Sequence, residues 1–218
     1  MNPLSVALEE VLFAVFRPLY SVRQATFVAY EPCQLSSNDD EPGDYYTVTY
    51  AERPRLISPA FNLSSLEEDL VAAMGQALAL ASLVSTLEGP RHLFLVDFSC
   101  AARPECLVSS IEAIEKCVRA LGQKDGILVQ TQNAFHFYGT GPLLLKAQWE
   151  RLFLKMRKFS IIESGYLNLS VRRGFSALRL TARPGQTQDV PRVIGTIGTV
   201  NIPQQMELFA AGIPRLAD

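Results

Sequence analysis

Residues 126–139 read GILVQTQNAFHFYG, two short apolar runs joined by the polar turn Gln130-Thr131-Gln132-Asn133. The runs predict two β-strands back to back, Ile127–Gln130 and Ala134–Tyr138. Period-2 alternation sends Phe135 and Phe137 to one face of the second strand and Ala134, His136 and Tyr138 to the other. An imidazole thus stands on a strand face, beside whatever the adjacent strands display. Two other segments have the character of neighbours. His92–Ser99, HLFLVDFS, ends in the carboxylate Asp97, and Phe159–Thr181 carries Glu163 and then SVRRGFSALRL.

Upstream of this stretch, strand His92–Phe98, a link holding Pro104, helix Glu105–Leu121 and strand Ile127–Gln130 have the proportions of a right-handed crossover. Because Ala134–Tyr138 follows at once, the expected sheet is mixed. The apolar run Leu70–Leu87 reads as a long buried helix that Gly89-Pro90 stops. Ser64 and Glu67 form a capping box ahead of it, with acids in the first turn to suit the helix dipole. Further upstream come an amphipathic helix Leu4–Phe16, a strand Ala25–Tyr30, a polar loop and a second strand Tyr45–Tyr50. Downstream, Gly141-Pro142 opens helix Leu143–Lys158. Its Trp149, Phe153 and Met156 face inward, and Lys146, Arg151, Lys155, Arg157 and Lys158 face outward. A short helix or turn at Tyr166–Val171, strand Phe175–Thr181 and a strand near Val193–Val200 complete the reading.

A hydrophobic content of 48% and a charged content of 19% place the chain among globular proteins. At 218 residues it is one large domain or two lobes sharing a core. A formal charge of −2 argues against a surface that is basic all over, while a local basic cleft depends on where the charges sit. The Met-Asn-Pro start lacks the basic lead and apolar core of a signal peptide. Gly75, Gln76, Ser82 and Ser85 interrupt the longest apolar run, so no membrane span is expected. Cys33, Cys100, Cys106 and Cys117 form no CxxC pair and read as buried thiols in a cytoplasmic protein, without a zinc site.

Three sets of residues carry chemistry. Asp97 closes an apolar strand, where open α/β sheets place ligand-binding groups, and Glu163 is the natural second carboxylate for a hard divalent ion. The plainer role for Asp97 is to cap the coming helix or to pair with an arginine. His136 is either a packed, hydrogen-bonded imidazole or a phosphate contact, with the Gln130–Asn133 turn supplying polar partners nearby. Arg172, Arg173 and Arg179 are the cationic set. Alternation puts Phe175, Ala177 and Arg179 on one face, so Arg179 is a bidentate phosphate contact if that face lines the cleft and a surface residue if it does not. No Gly-x-Ser-x-Gly turn supports a serine hydrolase, and no glycine-rich P-loop precedes a helix.

FLVDFS, QNAFHFYG and IIESGYLNLSVRRGFSALRL, in this order, resemble the three motifs of the archaeo-eukaryotic primase (prim-pol) superfamily. The resemblance runs from Leu93 to about Thr181. It implies an α+β fold, an RRM-like mixed sheet flanked by helices (residues 91–182), preceded by an N-terminal αβ module (1–90) and followed by an extension (183–218) in a single domain. It implies that Asp97 and Glu163 bind magnesium or manganese, that His136 meets nucleotide phosphates, and that Ser99, Arg172, Arg173 and Arg179 lie in the nucleotide site. The activity implied is metal-dependent nucleotidyl transfer of the DNA primase or polymerase type, in replication or repair, with nucleotides and single-stranded DNA or RNA as partners. Two positions depart from the family pattern. The second acid of the first motif is Ser99, and the serine two before the histidine is Ala134. A hydroxyl in place of a carboxylate removes both a charge and a ligand. The alternative is therefore a catalytically inactive binding module or a protein-interaction domain on the same fold.

Overall fold

The computed structural model describes residues 12, 15–16, 22–30, 51–56, 77–100, 102–131, 134–180 and 191–199. Leu12, Val15 and Phe16 are helical, with Leu12 and Val15 fully buried, in keeping with the expected apolar stripe. The expected strand Tyr45–Tyr50, the capping box at Ser64 and most of the first helix lie outside the described residues.

Two antiparallel sheets share one core. In the first, β1 (Val22–Tyr30) lies between β2 (Ala51–Leu56) and β3 (Ala77–Thr86), and β3 is paired in turn by β4 (Gly89–His92). A short β8 (Ala177–Arg179) pairs with the first half of β3, Ala79 opposite Arg179, on the edge where β4 takes the second half. The second sheet runs β5 (Leu95–Phe98), β7 (Phe135–Gly139), β6 (Gly126–Gln130), β9 (Arg192–Ile197). Phe27, Leu80 and Val84 from the first sheet and Val96, Leu128, Phe135 and Phe137 from the second belong to one apolar cluster.

The run expected to be a buried helix is in its second half a strand. Ala77–Thr86 is the central strand of its sheet, with Leu80, Ala81 and Val84 buried. A strand covered on both faces loses its polar alternation, so a short apolar run of this kind carries no period that separates strand from helix. Residues 70–76 lie outside the described set. Ser82, one of the breaks in that run, serves the strand: its hydroxyl accepts the Ser176 amide at 3.0 Å and lies 3.3 Å from His92 Nδ1. Gly89 turns the β3–β4 hairpin in the left-handed region, at φ 108°, instead of ending a helix.

The expected strand His92–Phe98 is divided. His92 closes β4, Leu93 and Phe94 bend, and β5 begins at Leu95 in the other sheet. The crossover is present: a single 3-10 turn, Pro104–Cys106, leads into α1 (Leu107–Ala120), which buries Ser110, Ile114, Cys117 and Val118 along one stripe before β6. The sheet is not mixed, because β7 returns between β5 and β6 and pairs antiparallel with both. The parallel strands β5 and β6 never touch; this is a split βαβ. Gly126 is required there. A Cβ at that position would come within 2.2 Å of the Phe137 ring and 2.6 Å of the Tyr138 carbonyl oxygen.

Helix α2 (Lys146–Met156) buries Trp149, Leu152, Phe153 and Met156, as its pattern predicts. The Trp149 ring stacks on His92 at 4.8 Å and meets Phe153 at 4.2 Å. His92 and Leu144 exchange backbone hydrogen bonds of 2.8 Å in both directions, fastening the start of α2 to β4. The segment expected to be a short helix or turn is α3 (Ser164–Arg173), closed by Gly174 at φ 78°. No helix among the described residues is long and apolar enough to cross a membrane.

Candidate functional site

The end of β5 brings three sequence-predicted residues together. Antiparallel register sets Asp97 opposite His136 across β5 and β7. Their side chains approach to 3.8 Å between Nε2 and Oδ1, an ion-pair separation once the imidazole is protonated. His136 is nearly buried at 8% side-chain exposure, whereas Asp97 keeps 26%, so the pair has one solvent-facing side. Tyr138, two residues along on the same strand face, sets its ring edge-on to His136 at 6.3 Å.

Glu163 reaches the site through the backbone. Residues 161–163 lie against the outer edge of β5: Ile162 bridges Phe98, the Ser99 amide donates to the Ile161 carbonyl at 2.9 Å, and the Glu163 amide donates to the Asp97 carbonyl at 3.0 Å. Glu163 is also the N-cap of α3, its Oε1 accepting the Gly165 amide at 3.1 Å. Glu163 thus caps a helix while its backbone adjoins that of Asp97. Extended backbone at Glu163 followed by small Ser164 and Gly165 is the local cause, since an N-cap needs an acceptor that reaches the first free amides.

The other candidates fall at different distances. Ser99 is exposed beside Asp97, and its hydroxyl donates to the Ile161 carbonyl at 3.3 Å. Arg172 and Arg173 occupy the last turn of α3, roughly 12 Å along the helix axis from its Glu163 end. Arg172 is exposed. Arg173 is half-buried, and that burial lowers its guanidinium to about 10. Arg179 is a buried residue of β8, not a surface arginine, and its carbonyl accepts the Tyr138 hydroxyl at 3.0 Å. In the Gln130–Asn133 turn, expected to offer polar partners near His136, two side chains bond to backbone carbonyls. Gln130 donates to the Ala102 carbonyl at 3.0 Å, and the Thr131 hydroxyl donates to the Ala134 carbonyl at 3.1 Å. Residues 132–133 lie outside the described set.

One supporting residue was not singled out from sequence. The Tyr166 hydroxyl donates to the Leu95 carbonyl at 2.5 Å, pinning α3 to the edge of β5 two residues before Asp97. Burial, then the Asp97 charge, holds that phenol far above its ordinary range, so it is a donor at every physiological pH. Its signal in the sequence was spacing alone: Tyr166 and Leu167 start the buried face of α3. The thiols near the site are quiet. Burial raises Cys100 and pushes Cys117 up to about 12.

Among the described residues no group of three or more His, Cys, Asp or Glu side chains converges to hold a metal. The donors present, one part-exposed aspartate and one capping glutamate with a second oxygen to offer, fit a magnesium-type ion that keeps most of its waters and takes further oxygens from a phosphate. They do not make a closed protein cage.

A model of the archaeo-eukaryotic primase family, described as archaeo-eukaryotic primase 1D-like (AEP-like), matches residues 64–192, more than half of the chain. The chain belongs to this primase-like family. The matched region holds β3 to β8, hence every residue of the site, and ends at the first residue of β9. No curated protein matches the chain. Membership makes the α+β architecture that of a divergent prim-pol protein and its role a primase-like, nucleotide-related one.

Proposed function

We propose that Asp97, His136 and Glu163 form a metal-assisted nucleotide-phosphate site. The observation that carries this reading is the cross-strand register of Asp97 with His136, together with the hydrogen bond that sets Glu163 on the Asp97 carbonyl. Asp97 and the second oxygen of Glu163 would hold magnesium or manganese, which supplies charge neutralisation to a bound triphosphate. His136, set opposite Asp97, would contact phosphate oxygens. Arg179, buried on β8 with its carbonyl bound to the Tyr138 hydroxyl, would add positive charge to the region, and Arg172 and Arg173, a helix length away, suit the outer part of a ligand more than its reacting phosphate.

On this reading the chain is a cytoplasmic nucleotide-binding protein, and nucleotidyl transfer of the DNA primase or polymerase type is the reaction its family membership suggests. Ser99 favours a second reading, binding without catalysis. Its hydroxyl is engaged with Ile161 and stands where a second metal-binding acid would be needed for two-metal transfer.

Isothermal calorimetry with ATP or dATP and manganese, on wild type, Asp97→Ala and His136→Ala, tests the site. Wild type should bind with metal dependence and both variants should lose the heat. No binding by wild type at millimolar nucleotide would remove the proposal. Primer extension then separates an active transferase from a binding module.

A further inference from the structure

The chain carries 20 Lys and Arg against 22 Asp and Glu, yet residues 146–158 hold five cations, Lys146, Arg151, Lys155, Arg157 and Lys158, against the single acid Glu150. All five are exposed. Among the described residues none of them is within ion-pair distance of an acid. On α1, by contrast, Arg119 is neutralised by Glu115 at 2.7 Å. Among the described residues this charge is concentrated and unpaired.

We propose that the outer face of α2 binds the phosphate backbone of single-stranded nucleic acid and leads it toward Asp97 and His136. Arg151 and Lys155 lie one turn apart on α2 and Lys158 follows in the turn just past its end, with Leu154, 65% exposed, beside them for sugar or base contact. These three cations can each meet a separate phosphate of the strand. Its direction is set by the chain: from Lys158, three residues reach Ile161, which accepts the Ser99 amide, and two more reach Glu163 on Asp97. An anionic bilayer is the poorer partner, because a helix lying on lipid needs an apolar face to insert, and that of α2 is committed to the core through Trp149, Leu152, Phe153 and Met156. The destination of the strand rests on the nucleotide-site reading; the binding surface does not.

The experiment is fluorescence anisotropy of a labelled 20-nucleotide single-stranded DNA with the full chain, over a series of salt concentrations. The test variant combines Arg151→Gln, Lys155→Gln and Lys158→Gln, and the control combines Lys116→Gln and Lys124→Gln, exposed cations elsewhere. The α2 variant should bind tenfold or more weakly at low salt, and its slope of log K against log salt should fall by about 2, since each phosphate contact on a single strand contributes about 0.7. The control should match wild type. Equal loss in both variants, no loss in the α2 variant, or wild-type binding to phosphatidylserine vesicles or a polyglutamate peptide in preference to DNA would each overturn the proposal. Calorimetry with nucleotide keeps the two readings apart: the α2 variant should bind nucleotide as wild type does, and oligonucleotide binding through α2 stands even if nucleotide binding is absent.

Discussion

Acidification from pH 7 to pH 4 should remove roughly 3 kcal/mol of folding stability through His92 alone, and His92→Phe should abolish that component. The ring is 3% exposed, stacked on Trp149 at 4.8 Å, with Ser82 Oγ 3.3 Å from Nδ1. Burial first, and the Lys146 ammonium second, bring its pKa down from 6.5 to about 4. In the unfolded chain the imidazole returns to about 6.5. Between those values the unfolded state holds a proton that the folded state refuses. Stability is therefore complete above about pH 6.5, falls as pH drops through the window, and levels off below about 4. A drop from 6.5 to about 4, at ~1.4 kcal/mol per tenfold, gives the figure above, a large share of a typical 5–15 kcal/mol total. Phenylalanine keeps a ring against Trp149 but cannot take a proton, and the Ser82 contact it loses shifts stability at every pH alike. The assay is urea unfolding at pH 7.5, 6.5, 5.5 and 4.5 for both proteins. Every other ionisable group is common to both proteins and cancels in the comparison. Lines for wild type and His92→Phe that run parallel within about 0.5 kcal/mol would refute the reasoning.

Two further substitutions probe the frame around the site. Tyr166→Phe removes the donor that pins α3 to Leu95 and leaves a buried carbonyl unsatisfied, so chemical denaturation should show a loss of about 1–3 kcal/mol; an unchanged midpoint would mean that the hydrogen bond contributes nothing net. Gly126→Ala drives a methyl into the Phe137 ring and the Tyr138 carbonyl and should cost about 1–3 kcal/mol, whereas Gly195→Ala, whose added Cβ meets nothing within 4 Å, should stay near neutral by the same measurement. Similar values for the two would contradict the packing described for β6 and β7.

Much of the site was legible in the sequence because its parts are locally encoded. Strand β7 was readable from the alternation about His136, α2 from the recurrence of Trp149, Phe153 and Met156, and β1 and β9 from short β-branched runs between polar loops. Asp97 and Glu163 stood out as carboxylates near strand ends and His136 as an imidazole within an alternating strand, and the motifs around them already resembled the family to which the chain belongs. The residues 77–86 were misread as helix because a central strand buried on both faces presents an apolar run of no fixed period. The helix cap at Glu163 and the support from Tyr166 were hidden as well, since a cap and a buried hydroxyl bond depend on which backbone groups arrive beside them.

By itself, then, the sequence determined strands and helices wherever a periodic pattern marks them, β7 and α2 above all, and which side chains carry charge, because both follow from local periodicity and chemistry. Only the tertiary structure decided that β7 returns between β5 and β6, so that the sheet is antiparallel and Asp97 stands opposite His136. Register between distant strands is set by the packing of the whole core, where Gly126 must admit the Phe137 ring, and no short window of residues contains that information.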